Sequence, residues 1–297
     1  MAGIPFVREL KFTYGEVNQV SPLIRRVIAE NPGPFTYLGT GVYVVGKGDV
    51  AVIDPGPPIE AHFEALKKAL AGERVTHVFT THTHLDHSPL AHPLAQWAGA
   101  KVYGRPDPAA AHDGVSLEED GEAGFTPDVL VNDGDVFSGP GWTLEAIATP
   151  GHMSNHICYA LKEENALFSG DHIMGWSTTV ISPPDGNMAD YYRSLAKIRT
   201  RNFETLWPTH GPPVKDVNAF IDAYLAHRRA REEAIVARLT AGDTLIPEMV
   251  KVIYKDVDVR LHAPAAHSVL AHMIHLVETG RATADGPFSL STHYHAA

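Results

Sequence analysis

Four side chains able to bind a metal ion fall within six positions of one short stretch, THTHLDHSPLA: His82, His84, Asp86 and His87. They follow directly on an apolar run, VTHVFTT, that reads as a strand. Histidines at i and i+2 cannot both face one core in regular structure, whereas a turn that aims them together lets both reach one ion. Imidazole suits zinc, and catalytic zinc usually takes three protein ligands plus a water. Asp86 and His87 lie just beyond and can begin a second site. Two metals need about six or seven ligands, so the rest must come from elsewhere in the chain.

Three further segments place a histidine or aspartate beside glycine at the end of an apolar run: His152 in TPGH, Asp171 in FSGD and His210 in PTHG. Glycine allows the tight backbone that brings a ligand close to an ion. A carboxylate such as Asp171 can bridge two metals. The bland alternative is a surface patch in a chain with 18 histidines, and the coincidence of several motifs argues against it. Isolated histidines such as His77, His92 and His112 read instead as surface or hydrogen-bonded residues.

The elements that must position these residues are legible in outline. GVYVVGKGDVAVID, residues 41–54, reads as a hairpin turning at GKGD. Pro57 and Pro58 then precede Ile59, Phe63, Leu66 and Leu70, one helical face that stops at Gly72. Residues 75–81 form a strand ending at the histidine cluster. A helix or broken helix, its start blurred by Pro89 and Pro93, runs through Trp97 to a short strand at 101–103. WTLEAIAT, residues 142–149, is a strand entering PGHMSNH, and HICYALKEENALFSGD is a hairpin turning at residues 163–165. Asp190 is expected to cap a helix whose Tyr191, Leu195 and Ile198 share a face. A last short strand ends at His210. From Val217 the chain turns helix-rich, with helices to about Leu239, over 247–254 and over 264–278, then a small hairpin around Asp285-Gly286. That pattern suggests a winged-helix-like module, with domains expected at 1–215 and 216–297.

Composition bounds the function. The chain has 297 residues, 44% hydrophobic and 20% charged, as in ordinary globular proteins. No run is apolar enough to span a membrane, and the N-terminus lacks the pattern of a secretory signal. The single cysteine, Cys158, excludes an internal disulfide and fits a reducing cytoplasm; its mid-strand position reads as core. The formal net charge is -11, but the segment between Pro106 and Gly141 holds nine acidic residues and no Lys or Arg. That excursion reads as solvated loop, with a lid over a site as the alternative. It leaves the rest of the surface nearly neutral.

HTHLDH, TPGH, FSGD and PTHG, in this order and at these separations, resemble the metallo-β-lactamase fold of dinuclear metal hydrolases, over roughly residues 35–215. The resemblance implies an α/β fold, an αββα four-layer sandwich. It also implies two Zn2+ per chain: His82, His84 and His152 at one, Asp86, His87 and His210 at the other, and Asp171 bridging. A flavodiiron branch resembling this fold carries glutamate at the position of His84, so histidine there favours hydrolysis over redox chemistry. Asp54 in AVIDPG resembles a position that supports the metal loop, with a turn-capping role as the alternative. His156 reads as a partner of the ligands or a substrate-facing residue. His172, directly after Asp171, is a candidate to protonate a leaving group. Asp86 and Asp171 would orient a metal-bridging hydroxide generated between the ions.

The stretches AYLAHRRAREEAIVARL, MVKVIYKDVD and HSVLAHMIHLVETGR are similar to the C-terminal winged-helix domain of the β-lactamase-like protein 2 group. That group includes an endoribonuclease acting on single-stranded RNA, so phosphodiester hydrolysis is the leading expectation. Physical support for RNA is thin, because residues 216–297 hold eight Lys/Arg against ten Asp/Glu. Arg228, Arg229 and Arg231, or Arg193, Lys197 and Arg201, are candidates to contact phosphates; solvated helix faces are the commoner use of such runs. The alternatives are a thioester or lactone hydrolase resembling glyoxalase II or the acyl-homoserine lactonases, weak β-lactam turnover, or a nucleic-acid-binding regulatory module. The expected partner is thus a small-molecule or single-stranded RNA substrate, with no membrane, and a homo-oligomer remains open.

Overall fold

Alternation along the central strands sets the architecture. In the run VYVV of residues 42–45, Val42 and Val44 join one buried cluster while Tyr43 and Val45 join another. Val50 and Val52 likewise oppose Ala51 and Ile53. Side chains of a strand alternate between faces, so a continuously apolar strand needs cover on both sides. A computed structural model, which describes residues 3–108 and 121–297, shows how that cover is supplied.

One sheet takes β1 (Asn18–Gln19), β2 (Ile24–Ile28), β3 (Gly41–Lys47), β4 (Asp49–Ile53), β5 (Arg74–Phe79), β6 (Lys101–Gly104) and β7 (Val129–Leu130) in sequential order. The other takes β8 (Val136–Gly139), β9 (Trp142–Ala148), β10 (Ile157–Leu161), β11 (Ala166–Gly170) and β12 (Thr205–Pro208), also in sequential order across the sheet. The inner faces meet around Tyr43, Phe79, Trp142, Tyr159 and Phe168. Helices α1 (Glu60–Ala69) and α2 (Ala91–Ala98) cover the outer face of the first sheet through Leu66 and Leu94. Helix α3 (Met188–Arg199) and the start of α4 (Val217–Thr240) cover the second through Tyr191, Leu195, Phe220 and Tyr224. This is the expected four-layer αββα sandwich.

The remainder packs around α5 (Ile246–Ile253), α6 (His262–Glu278) and the pair β13 (Ala282–Ala284) and β14 (Tyr294–Ala296). Its core contains Ile235 and Leu239 from the far end of α4. One helix therefore belongs to both cores, and the boundary expected at residue 215 falls just ahead of it.

Two local expectations need correction. Asp190 does not cap α3: Asn187 does, its side chain accepting the Asp190 amide at 2.9 Å. Asp190 sits one turn inside, where an acidic residue still suits the positive end of the helix dipole. The C-terminal strands pair, but residues 285–293 separate them, so no tight turn forms at Asp285-Gly286. Tyr294, fully buried, fixes that pairing instead.

Within the acidic excursion, the described carboxylates tie loops together. Glu122 accepts the Ser88 hydroxyl, Asp128 the Val102 amide, Asp133 the Ala148 amide and Asp135 the Asn132 amide. His112, Asp113, Glu118, Glu119 and Asp120 lie outside the described residues.

Candidate metal centre

The ends of five strands converge at one edge of the sandwich. Asp54 follows β4, the HTHLDH loop follows β5, His152 follows β9, Asp171 follows β11 and His210 follows β12. Parallel pairing of β4 with β5, and of β11 with β12, sends those chains out on the same side. Among the described residues, three groups of possible ligand atoms lie within 4.8 Å of one another: His82, His84 and His152; His82, His87 and Asp171; and Asp86, His87 and His210. All seven expected residues are thus brought together.

Hydrogen bonds to the far nitrogen decide which imidazole atom faces the cluster. The Thr81 hydroxyl donates to Asp54 Oδ2 at 2.8 Å, so at 3.0 Å from His82 Nδ1 it can only accept. His87 Nδ1 donates to Asp54 Oδ2 at 2.9 Å and His152 Nδ1 to the Val180 carbonyl at 2.7 Å. His210 Nδ1 donates to the Gly39 carbonyl at 3.3 Å. In each ring a proton is held outward at Nδ1, and Nε2 is turned toward its neighbours. His82 Nε2 and His152 Nε2 stand 3.0 and 3.2 Å from His84 Nδ1. Three nitrogens at that separation can each turn a lone pair on one cation lying between them.

The second group has a complementary demand. His210 Nε2 is 3.0 Å from Asp86 Oδ2 and 3.4 Å from Asp171 Oδ2, and His87 Nε2 is 3.4 Å from Asp86 Oδ1. Burial alone would depress both imidazoles, yet the carboxylates of Asp171 and Asp86 push His210 up to about 10 and His87 well above its ordinary value. The buried aspartates draw positive charge into the site. His87 Nε2 and Asp171 Oδ1 are buried with no hydrogen-bond partner, as expected of atoms reserved for an ion. The donor set, imidazole nitrogen with carboxylate oxygen, fits divalent metals such as zinc.

Asp54 anchors the loops behind the ligands. Fully buried, its carboxyl accepts from the Thr81 amide and hydroxyl, the Thr209 hydroxyl at 2.9 Å and His87. His156 is also buried, and its Nε2 accepts the Asp171 amide at 3.2 Å, so Nδ1 carries the proton toward the Thr149 hydroxyl at 2.8 Å. Gly170 makes this approach feasible: at its φ of +51°, a Cβ would stand 2.6 Å from His156 Nε2. His172 is fully buried behind the centre under the edge of Tyr191, with ring centroids 5.0 Å apart. Burial and neighbouring His152 hold its pKa down to about 3. Cys158 is buried core, its thiol pushed up to about 12 by burial.

Sequence reasoning passed over Thr81, Thr209 and Thr40, whose hydroxyl reaches Asp86 Oδ2 at 3.2 Å. The available signal was position: Thr81 and Thr209 directly precede His82 and His210.

A family model described as the metallo-beta-lactamase superfamily matches residues 37–210, a span holding every residue of the cluster. The chain belongs to the metallo-β-lactamase superfamily. A second model, the beta-lactamase associated winged helix domain, matches residues 246–287 and gives the C-terminal unit its fold. Relatives within the superfamily include a beta-lactamase-like protein 2 homolog of Caenorhabditis elegans, 33% identical over 74% of this chain and 72% of that one. An atrochrysone carboxyl ACP thioesterase of Aspergillus fumigatus is 30% identical over 87% and 83% of the two chains. A beta-lactamase domain protein from Burkholderia ambifaria superposes with a TM-score of 0.82 at 22% identity, over 97% of this chain and 96% of that one, and so shares the fold of both units.

Of the six basic residues considered for nucleic-acid contact, three are paired with carboxylates. Arg193 pairs with Asp190, Lys197 with Asp133 at 2.5 Å and Arg201 with Glu145 at 2.6 Å. Arg228 is buried, donating to the Thr179 carbonyl. No helix is long and apolar enough to cross a membrane, among the described residues.

Proposed function

We propose that this chain is a dinuclear zinc hydrolase and that its substrate is a thioester. The convergence of imidazole nitrogens and paired carboxylates at one edge of the sandwich carries the hydrolase reading. His82, His84 and His152 would hold one ion and Asp86, His87 and His210 the other, with Asp171 between them. Such ions supply an acidified water and polarise the bond to be cleaved. The protein's own contribution is orientation. Asp54 fixes Thr81, Thr209 and His87, while His156 sets the backbone of Asp171. Asp86 and Asp171 would orient the attacking water, both being buried at the centre.

Two observations support a thioester. The ACP thioesterase relative aligns over most of both chains. His172, considered as a proton donor, is fully buried behind the centre against Tyr191, and a thiolate leaving group, with a thiol pKa near ~8.5, needs little help from an acid. Phosphodiester hydrolysis, the leading expectation from sequence, has less support, since Arg193, Lys197 and Arg201 are occupied by carboxylates.

Metal analysis of purified protein should give about two zinc per chain. A panel of acyl thioester, lactone, bis(p-nitrophenyl) phosphate, RNA and nitrocefin should show the highest kcat/KM for the thioester. RNA or the phosphodiester turning over fastest would overturn the substrate assignment, and a metal-free active enzyme would overturn the mechanism.

A further inference from the structure

The catalytic and C-terminal units enclose a cleft of about 420 Å3. Its walls are mostly apolar: Phe35 and Trp176 on one side, Tyr254 and Leu261 on the other. Two loops join it to the metal centre. In the first, the Thr179 hydroxyl donates to the Asp171 carbonyl at 2.8 Å and the Val180 carbonyl holds His152, while Thr179 and Val180 also line the cleft. In the second, Gly39 holds His210, Tyr37 stacks on Trp176 with centroids 4.7 Å apart, and Phe35 forms the wall.

Into this apolar space α4 presents two guanidinium groups. Arg228 is only 3% exposed; it donates to the Thr179 carbonyl, and its Nε is buried with no hydrogen-bond partner. Arg231, one turn on, lies 4.1 Å over the Tyr254 ring. Among the described residues, neither pairs with a carboxylate, unlike Arg199, Arg201 and Arg238 on the open surface. A buried guanidinium without a counter-charge is costly, and a cleft is where a ligand can supply one. Planar guanidinium groups recognise carboxylate and phosphate oxygens in particular.

The geometry points to a substrate whose apolar body fills this cleft and whose anionic group, a carboxylate or a phosphate, is bound by Arg231 together with Arg228. The inference rests on the adjacent centre being a hydrolase of such substrates. Arg231 is then a specificity determinant that leaves the reacting bond to the metal centre.

The test uses non-hydrolysable thioethers in four forms: an ω-carboxyalkyl chain or its methyl ester, each on coenzyme A or on N-acetylcysteamine. Binding to full-length wild type, Arg231→Met and Arg231→Lys is followed by calorimetry. Arg231→Met should weaken binding of the anion-bearing forms by about 10- to 100-fold and change the neutral methyl ester on N-acetylcysteamine less than about twofold, with Arg231→Lys in between. Loss confined to the carboxyl forms identifies a carboxylate; loss following coenzyme A identifies its phosphates. Equal effects on all four compounds, or none, overturn the inference. Hydrolysis assays on the matching thioesters separate the two readings. Turnover with no charge dependence in binding sinks this inference alone, whereas charge-dependent binding without turnover sinks the thioesterase assignment alone.

Discussion

At the scale of single residues, Asp54 accepts four hydrogen bonds while touching no reacting group. Replacing it with alanine would strand two hydroxyls and leave His87 free to turn its proton inward. Asp54→Ala should therefore lower metal affinity by about 10- to 100-fold, measured by competition with a chelator, with smaller loss of fold stability. Asp171→Ala removes the carboxylate proposed to lie between the two ions and should abolish hydrolysis while the far-UV circular dichroism stays native. Full activity in that variant would contradict a dinuclear mechanism. The clustered histidines and aspartates were legible from sequence because few residue types bind metal ions and such clustering is rare. The hydroxyls behind them were not, because threonine is common and its role depends on where Asp54 stands in space.

Elements were legible where hydrophobic periodicity was strong, as in the β3–β4 hairpin and α1. They were less so at their ends, where Asn187 rather than Asp190 caps α3 because the cap must reach an amide three residues on. On α1, burial drives His62 down to about 4 despite its 3.0 Å contact with the Pro55 carbonyl. Between pH ~6.5 and ~4 the unfolded chain therefore binds a proton that the folded one refuses. Its contribution is complete above pH ~6.5 and is lost as pH falls, by at most about 3 kcal/mol. His62→Gln should give a shallower decline of Tm across that window than the parent shows. Gly170 is a second element-scale constraint: Gly170→Ala forces a left-handed backbone and a Cβ against His156. It should cost more than ~1 kcal/mol by denaturant titration and reduce activity with it.

Across the whole molecule, the layered sandwich could be read from sequence, whereas the relation of the two units could not. Helix α4 carries one apolar surface into each core, so no single face repeats along its length. Glu232 adds a polar tie, meeting Tyr192 of α3 at 3.0 Å and His275 of α6 at 2.9 Å. Calorimetry should accordingly show one cooperative unfolding transition; two separable transitions would contradict the shared core. Tyr224 of α4 also bonds the Met174 carbonyl at 2.7 Å, in the loop that leads to the cleft. A chain built this way has no seam at which its terminal unit can be exchanged as a cassette. Any graft must bring α4, and with it Arg228 and Arg231, so terminal unit and the proposed anion contact are inherited together.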